Sequence, residues 1–133
     1  MEKFSNKTLE KIGHYVYGLM DPLSKEYFYI GKGSGNRVFS HVRQKIRQKD
    51  IDPKFDIIER LKEFGGPEII ILRHGLSEYQ ALLIESTIID VLGVNQMANK
   101  VRGLDSDRFG IMSATNLDSQ YKGIEYKGKE QCI

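Results

Sequence analysis

Residues 32 to 49 carry Lys32, Arg37, Arg43, Lys45, Arg47 and Lys49, with no aspartate or glutamate among them. The whole 133-residue chain has a formal net charge of only +2. Its positive charge is therefore focused in one stripe, and the remainder is net acidic. Such a stripe is the electrostatic footprint of phosphate contacts; the ordinary alternative is a solvated helix face. On a helical wheel Val38, Phe39, Val42 and Ile46 form a buried side, with Arg37, His41, Gln44 and Lys45 opposite. The second chemically loaded position is Glu85, inside an apolar arc of Ala81, Leu82, Ile84, Ile88, Ile89 and Leu92. A carboxylate there must be paired with a cation such as Arg37 or Arg60, protonated, or bound to a metal ion. Four phenols, Tyr15, Tyr17, Tyr27 and Tyr29, fall in two short stretches, where tyrosine also suits a plain β-strand. The Gly31–Gly35 segment lacks the spacing of a nucleotide phosphate loop.

The elements that must position these groups follow from periodicity and turn chemistry. His14 to Met20 alternates as a strand, with Tyr15, Tyr17 and Leu19 on one face and Val16 and Met20 on the other. Asp21, Pro22 and Ser24 supply a turn. A second strand is expected from Tyr27 to Gly31, with Tyr27 and Tyr29 on one face and Phe28 and Ile30 on the other. Gly31, Gly33 and Gly35 read as a sharp turn into a helix capped by Ser34 or Asn36. Pro53 ends that helix, and Lys54 to Phe64 forms another, with Phe55, Ile58, Leu61 and Phe64 at helical spacing before Gly65 and Gly66. A third strand spans Glu68 to Arg73. Ser77 and Gln80 then form a capping box for a helix that runs to Leu92 and stops at Gly93. A short helix over Lys7 to Ile12, a strand over Arg108 to Thr115 and a hairpin over Ile124 to Ile133 complete the expectation.

The ordered motifs resemble the GIY-YIG nuclease family. Tyr15-Val16-Tyr17 stands where that family has its first triplet, and Tyr29-Ile30-Gly31 matches the second. Arg37 and His41 match the arginine and histidine of the following helix, Glu85 the glutamate of a later helix, and Asn99 the asparagine beyond it. The first triplet departs from the pattern, keeping only its terminal tyrosine. The Gly-Lys-Gly-x-Gly-Asn-Arg continuation looks most like the branch that contains the ankyrin-and-LEM-domain nucleases.

This resemblance implies a metal-dependent endonuclease that hydrolyses DNA phosphodiester bonds. It makes Glu85 the ligand of one Mg²⁺ or Mn²⁺, an ion that needs only one or two carboxylates besides water and phosphate oxygens. Arg37 would stabilise charge on the phosphate, and Tyr17 would accept a proton from the attacking water or orient it. Tyr29 would position water or phosphate. Lys32 and His41 are phosphate contacts or proton partners, and Asn99 holds the site together or braces a loop. Arg43, Lys45 and Arg47 join Lys32 in the nucleic-acid-binding stripe. His14 and His74 read as structural or incidental.

Length and composition set the bounds. A hydrophobic content of 40% and a charged content of 29% describe an ordinary globular domain. No apolar run approaches a membrane span. The lone Cys132 rules out an internal disulfide and suits a reducing compartment, so a cytoplasmic location is expected, or a nuclear one in a eukaryote. The expected fold is a small α/β (α+β) domain over residues 1–103, with a three-stranded antiparallel sheet flanked by helices. Residues 104–133 are expected as a C-terminal extension, either docked strands or the opening of a second domain. The expected partner is DNA, branched or structured forms included, and no membrane. Two other readings stand beside the nuclease: a nucleic-acid-binding module of the same fold without catalysis, and a protein-interaction domain whose Glu85 sits in a structural salt bridge.

Overall fold

In the computed structural model, residues 2–43, 53–93 and 109–122 are described. The sheet consists of β1 (His14–Met20), β2 (Tyr27–Ser34) and β3 (Glu68–Leu76), antiparallel throughout and in the order β2-β1-β3. The helices are α1 (Asn6–Lys11), α2 (Arg37–Arg43), α3 (Pro53–Leu61), α4 (Glu78–Leu92) and α5 (Ala114–Lys122). The expected α+β fold and the β-β-α-α-β-α order of its core are therefore observed.

Strand β1 is central because both of its faces are apolar, and Tyr15, Val16, Tyr17 and Leu19 are wholly buried. Alternation sends Tyr15, Tyr17 and Leu19 into one cluster with Val38 and Phe39 of α2 and Ile58 and Leu61 of α3. Val16 faces the other way and packs with Ile30, Ala81 and Ile89 beneath α4. The sheet is thus covered on both sides.

The turn between β1 and β2 is built as its residues predict. The Asp21 carboxylate accepts the backbone N–H of Leu23, and the Asp21 carbonyl accepts that of Lys25. Beyond the turn the face assignment of β2 changes. Leu19 pairs with Tyr29 and Met20 with Tyr27, which leaves Phe28 as an extra residue in a bulge. Consequently Phe28 and Tyr29 pack on the α2–α3 side, while Tyr27 packs with Ile30 on the α4 side. The expected pairing of Tyr27 with Tyr29 on one face does not occur.

Gly31 and Gly33 are strand residues, not turn residues. They stand opposite Tyr17 and Tyr15, and at Gly31 the missing side chain lets the Tyr17 ring lie across the neighbouring strand. A Cβ on Gly31 would come within 2.7 Å of the Tyr17 hydroxyl oxygen and 2.8 Å of a Tyr29 ring carbon. Only Gly35, at φ +56°, has the left-handed backbone that favours glycine. Lying across Gly33 brings the Tyr15 hydroxyl to the start of α2. There it donates to the Gly35 carbonyl at 2.9 Å and accepts the Val38 N–H at 3.2 Å. A distant tyrosine thus satisfies one of the N–H groups that a helix leaves open at its first turn. The expected cap at Asn36 is otherwise engaged, its side-chain oxygen accepting the Phe4 N–H at 2.8 Å.

The remaining elements follow local rules. Proline opens α3, where its missing N–H costs nothing. That helix tightens into a 3-10 turn at Lys62–Phe64, and the tightening leaves Phe64 exposed despite its helical spacing. Ser77 and Gln80 form the expected capping box of α4, and Gly93 follows its last residue. Leu82, counted in the apolar arc from spacing, is only half-buried and lies off the α4 cluster. In place of the strand expected near residues 108–115, Ser113 accepts the Asn116 N–H and α5 begins at Ala114. The expected hairpin over 124–133 lies outside the described residues.

The tyrosine–glycine packing has a direct test. Gly31→Ala introduces a contact that buried rings cannot relieve, and it should destabilise the fold by about 1–3 kcal/mol in urea melts. An unchanged midpoint would show that the Tyr17 ring does not need the space.

Candidate active site

Because β2 is an edge strand, both of its faces meet at an open border. Tyr29, Gly31 and Gly33 face α2, while Ile30 and Lys32 face α4. Groups from two sides of the sheet therefore converge around one strand. They surround a cleft of about 470 Å³, lined by Tyr29, Lys32, Arg37, Glu85, His14 and Glu78 and floored by Gly33 and Ser34. Four residues singled out from sequence, spread over Tyr29 to Glu85, come together in it.

Glu85 projects from the middle of α4 and is half-buried. Burial pushes its carboxyl above the usual glutamate value, while the Lys32 ammonium and backbone N–H draw it partly back. Among the described residues no salt bridge joins Glu85 to Arg37 or Arg60. Arg60 reaches Asp56 instead, at 3.9 Å on the exposed side of α3. The carboxylate is thus held at the cleft and disfavoured in its charged form. An added cation would relieve that penalty. Among the described residues no three His, Cys, Asp or Glu side chains cluster as metal ligands.

Arg37 is the first residue of α2 and is exposed, its stem packed close to Gly33. The Tyr15 hydroxyl bonds on either side of it fix where this arginine leaves the helix. Tyr17 is wholly buried behind the cleft wall, its ring 6.2 Å from Tyr29 and 6.1 Å from Tyr15. Burial above all, then Tyr29, Tyr15 and Glu85, pushes its phenol far above the ordinary tyrosine value, and Arg37 offsets this only in part. The phenol is therefore neutral at physiological pH. Tyr29 is half-buried and carries the Lys54 ammonium over its ring, 4.2 Å from the centroid.

Other sequence-derived candidates lie wholly or in part outside the described residues. His41 and Arg43 lie on α2, with side chains outside the described residues, as are Lys45, Arg47 and Asn99 altogether. Three residues near the site were not anticipated. His14, read as incidental, borders the cleft because it shares the α4-facing side of β1 with Val16, a signal already present in the alternation. Glu78 stands seven residues before Glu85 on the same helix, a spacing that returns to one face after two turns. Lys54 had no local signal, since its place depends on how α3 packs.

Comparison with known proteins bears on the family. The model of the LEM-3-like GIY-YIG domain matches residues 10–122. A Caenorhabditis elegans protein, the ankyrin repeat and LEM domain-containing protein 1 homolog, is 30% identical over 93 residues. That match covers 63% of this chain and only 13% of the relative. No solved structure matches. With its motifs gathered around the edge of β2 and most of its length matched, the chain belongs to the LEM-3-like GIY-YIG nuclease family.

Proposed function

We propose that the protein is a metal-dependent endonuclease acting on DNA within the cell. The observation that carries this reading is the convergence of Tyr29, Lys32, Arg37 and Glu85 on one cleft at an open strand edge. The basic stripe that continues from Lys32 through Arg37, Arg43, Lys45 and Arg47 supplies the phosphate-binding charge. Among the described residues no helix is long and apolar enough to cross a membrane.

Glu85 would hold a single Mg²⁺ or Mn²⁺, which when bound neutralises the leaving oxygen and polarises the phosphorus centre. The chain's own groups do the rest. Arg37 offers a planar fork of donors to the non-bridging oxygens, where charge accumulates as water attacks. Lys32 sets a second positive charge across the cleft from Arg37 and restrains the Glu85 carboxylate. The neutral Tyr17 phenol orients water by hydrogen bonding from behind the edge strand, and Tyr29 positions water or phosphate at the cleft surface. His41 shares the proton transfer that so weakly acidic a tyrosine cannot carry alone. Asn99, outside the described residues, would hold the site together.

The reading makes separable predictions. Mg²⁺ should support cleavage of plasmid or branched DNA, and EDTA should stop it. Arg37→Ala should slow single-turnover cleavage by roughly 10² or more, and Tyr17→Phe should remove most activity without unfolding. Normal cleavage by Tyr17→Phe would contradict the role given to its hydroxyl, and binding without cleavage by the unaltered protein would favour the non-catalytic module.

Affinity for DNA should fall steeply with salt, losing about 0.9 log units per decade of salt for each phosphate contact. Reversing Arg43 and Arg47 to glutamate should flatten that dependence for all sequences alike. A salt-independent affinity would make the stripe a solubility feature.

The Glu85 environment has its own signature. A carboxyl raised on folding binds more protons folded than unfolded, so its contribution to stability falls as pH rises upward from the usual value of 4.5. At neutral pH in EDTA, Glu85→Gln should therefore melt no lower than wild type. Its advantage should shrink as pH falls toward 4.5. Mg²⁺ should raise the wild-type Tm slightly and leave the variant unchanged. A loss of about 3–5 kcal/mol in Glu85→Gln would instead mark a buried ion pair.

A further inference from the structure

Residues 2–8 are polar except for Phe4. A lone ring in such a segment gains by folding back onto the domain, and Phe4 does so at the start of α2. Its ring stands edge-on to Phe39, with centroids 4.8 Å apart, and to Tyr15 at 6.2 Å. Its backbone N–H donates to the Asn36 side-chain oxygen at 2.8 Å, across 32 positions of sequence. At the far end of α1, Ile12 is buried in the same cluster, and its carbonyl accepts the Gly75 N–H of β3 at 2.7 Å. Residues 4–12 therefore form a strap anchored at both ends, from β3 to the first turn of α2. Phe4 lies before the residues 10–122 that the family model matches.

An asparagine at the start of a helix ordinarily turns its side chain onto the first N–H groups of that helix. Here the Tyr15 hydroxyl already accepts the Val38 N–H at 3.2 Å, and the Asn36 carbonyl accepts that of Phe39 at 3.0 Å. The Asn36 side chain receives the strap instead. Arg37 is the next residue, and among the described residues no ion pair holds its guanidinium. Its approach to the cleft is set by the backbone beneath it. Tyr15 pins that backbone at Gly35 and Val38, and the strap pins it at Asn36.

We propose that the strap is a positioning device of the nuclease site, with Phe4 and Asn36 holding the backbone from which Arg37 reaches a phosphate oxygen. The proposal rests on the endonuclease reading and on the role of Arg37 in it. Neither Phe4 nor Asn36 lines the cleft, so both act through Arg37. A small displacement of the guanidinium is felt mainly in the transition state, where charge on the non-bridging oxygens is greatest.

Two variants break the contact from opposite sides: Asn36→Leu removes the acceptor at similar volume, and Phe4→Pro removes the donor. Each is made in the full chain, alone and together with Arg37→Ala, and followed by thermal melting and by steady-state and single-turnover cleavage of duplex DNA with Mg²⁺. Each alone should stay folded and lower kcat about tenfold, the scale of one lost hydrogen bond, with KM changed less than about twofold. In the Arg37→Ala background the further loss should shrink to less than about twofold, because there is no guanidinium left to misplace. If one variant does not fold, the other decides. Wild-type rates in a folded variant, an undiminished loss in the Arg37→Ala background, or failure of both variants to fold would each overturn the proposal while leaving the nuclease reading intact. A wild-type protein that does not cleave would overturn both.

Discussion

The Tyr17 ring of the central strand can lie across β2 only because Gly31 stands opposite it, where a Cβ would come within 2.7 Å of the Tyr17 hydroxyl. This steric allowance organises much of the molecule. Across Gly33, Tyr15 reaches the first turn of α2 and holds both Gly35 and Val38. Arg37, which with Asn36 lies between them in the chain, leaves α2 in a fixed direction as a result. Across Gly31, Tyr17 carries its hydroxyl to the edge strand, its ring tilted 42° to that of Tyr29 with centroids 6.2 Å apart. One row of rings, Phe4, Tyr15, Tyr17 and Tyr29, runs from the N-terminal segment to the cleft.

The site's chemistry follows from its place at a sheet border. An interior strand would separate groups on its two faces, whereas an edge strand lets α2 and α4 contribute to a single cleft. Arg37 arrives from one side and Glu85 from the other, with Lys32 between them on β2 itself. The burial that raises the Glu85 carboxyl also raises the Tyr17 phenol, with opposite consequences. Glu85 gains from a nearby cation, and the Tyr17 phenol stays neutral.

Much of this was legible because it is written in local pattern. The alternation of β1, the Ser77–Gln80 capping box and the Asp21 turn each depend on residues a few positions apart, and each was found where expected. The misreadings share a different cause. Gly31 and Gly33 look like turn residues until their cross-strand partners are known. The Phe28 bulge leaves no trace in spacing, because it is a mismatch between two strands. His14 carried a usable signal in its shared face with Val16, while Lys54 depends on tertiary packing that no local window contains.

The central claim is that nucleic acid engages the edge of β2. Its most direct test is the change in backbone amide resonances when a DNA duplex is added in EDTA, where cleavage is blocked. The competing surface is a groove of about 510 Å³ between α1 and β3, with Lys7, Lys11 and His74 on its rim. The account predicts the largest shifts at Lys32, Gly33, Ser34, Arg37 and Glu85. Shifts concentrated at Lys7, Lys11 and His74, with the edge of β2 unmoved, would contradict it.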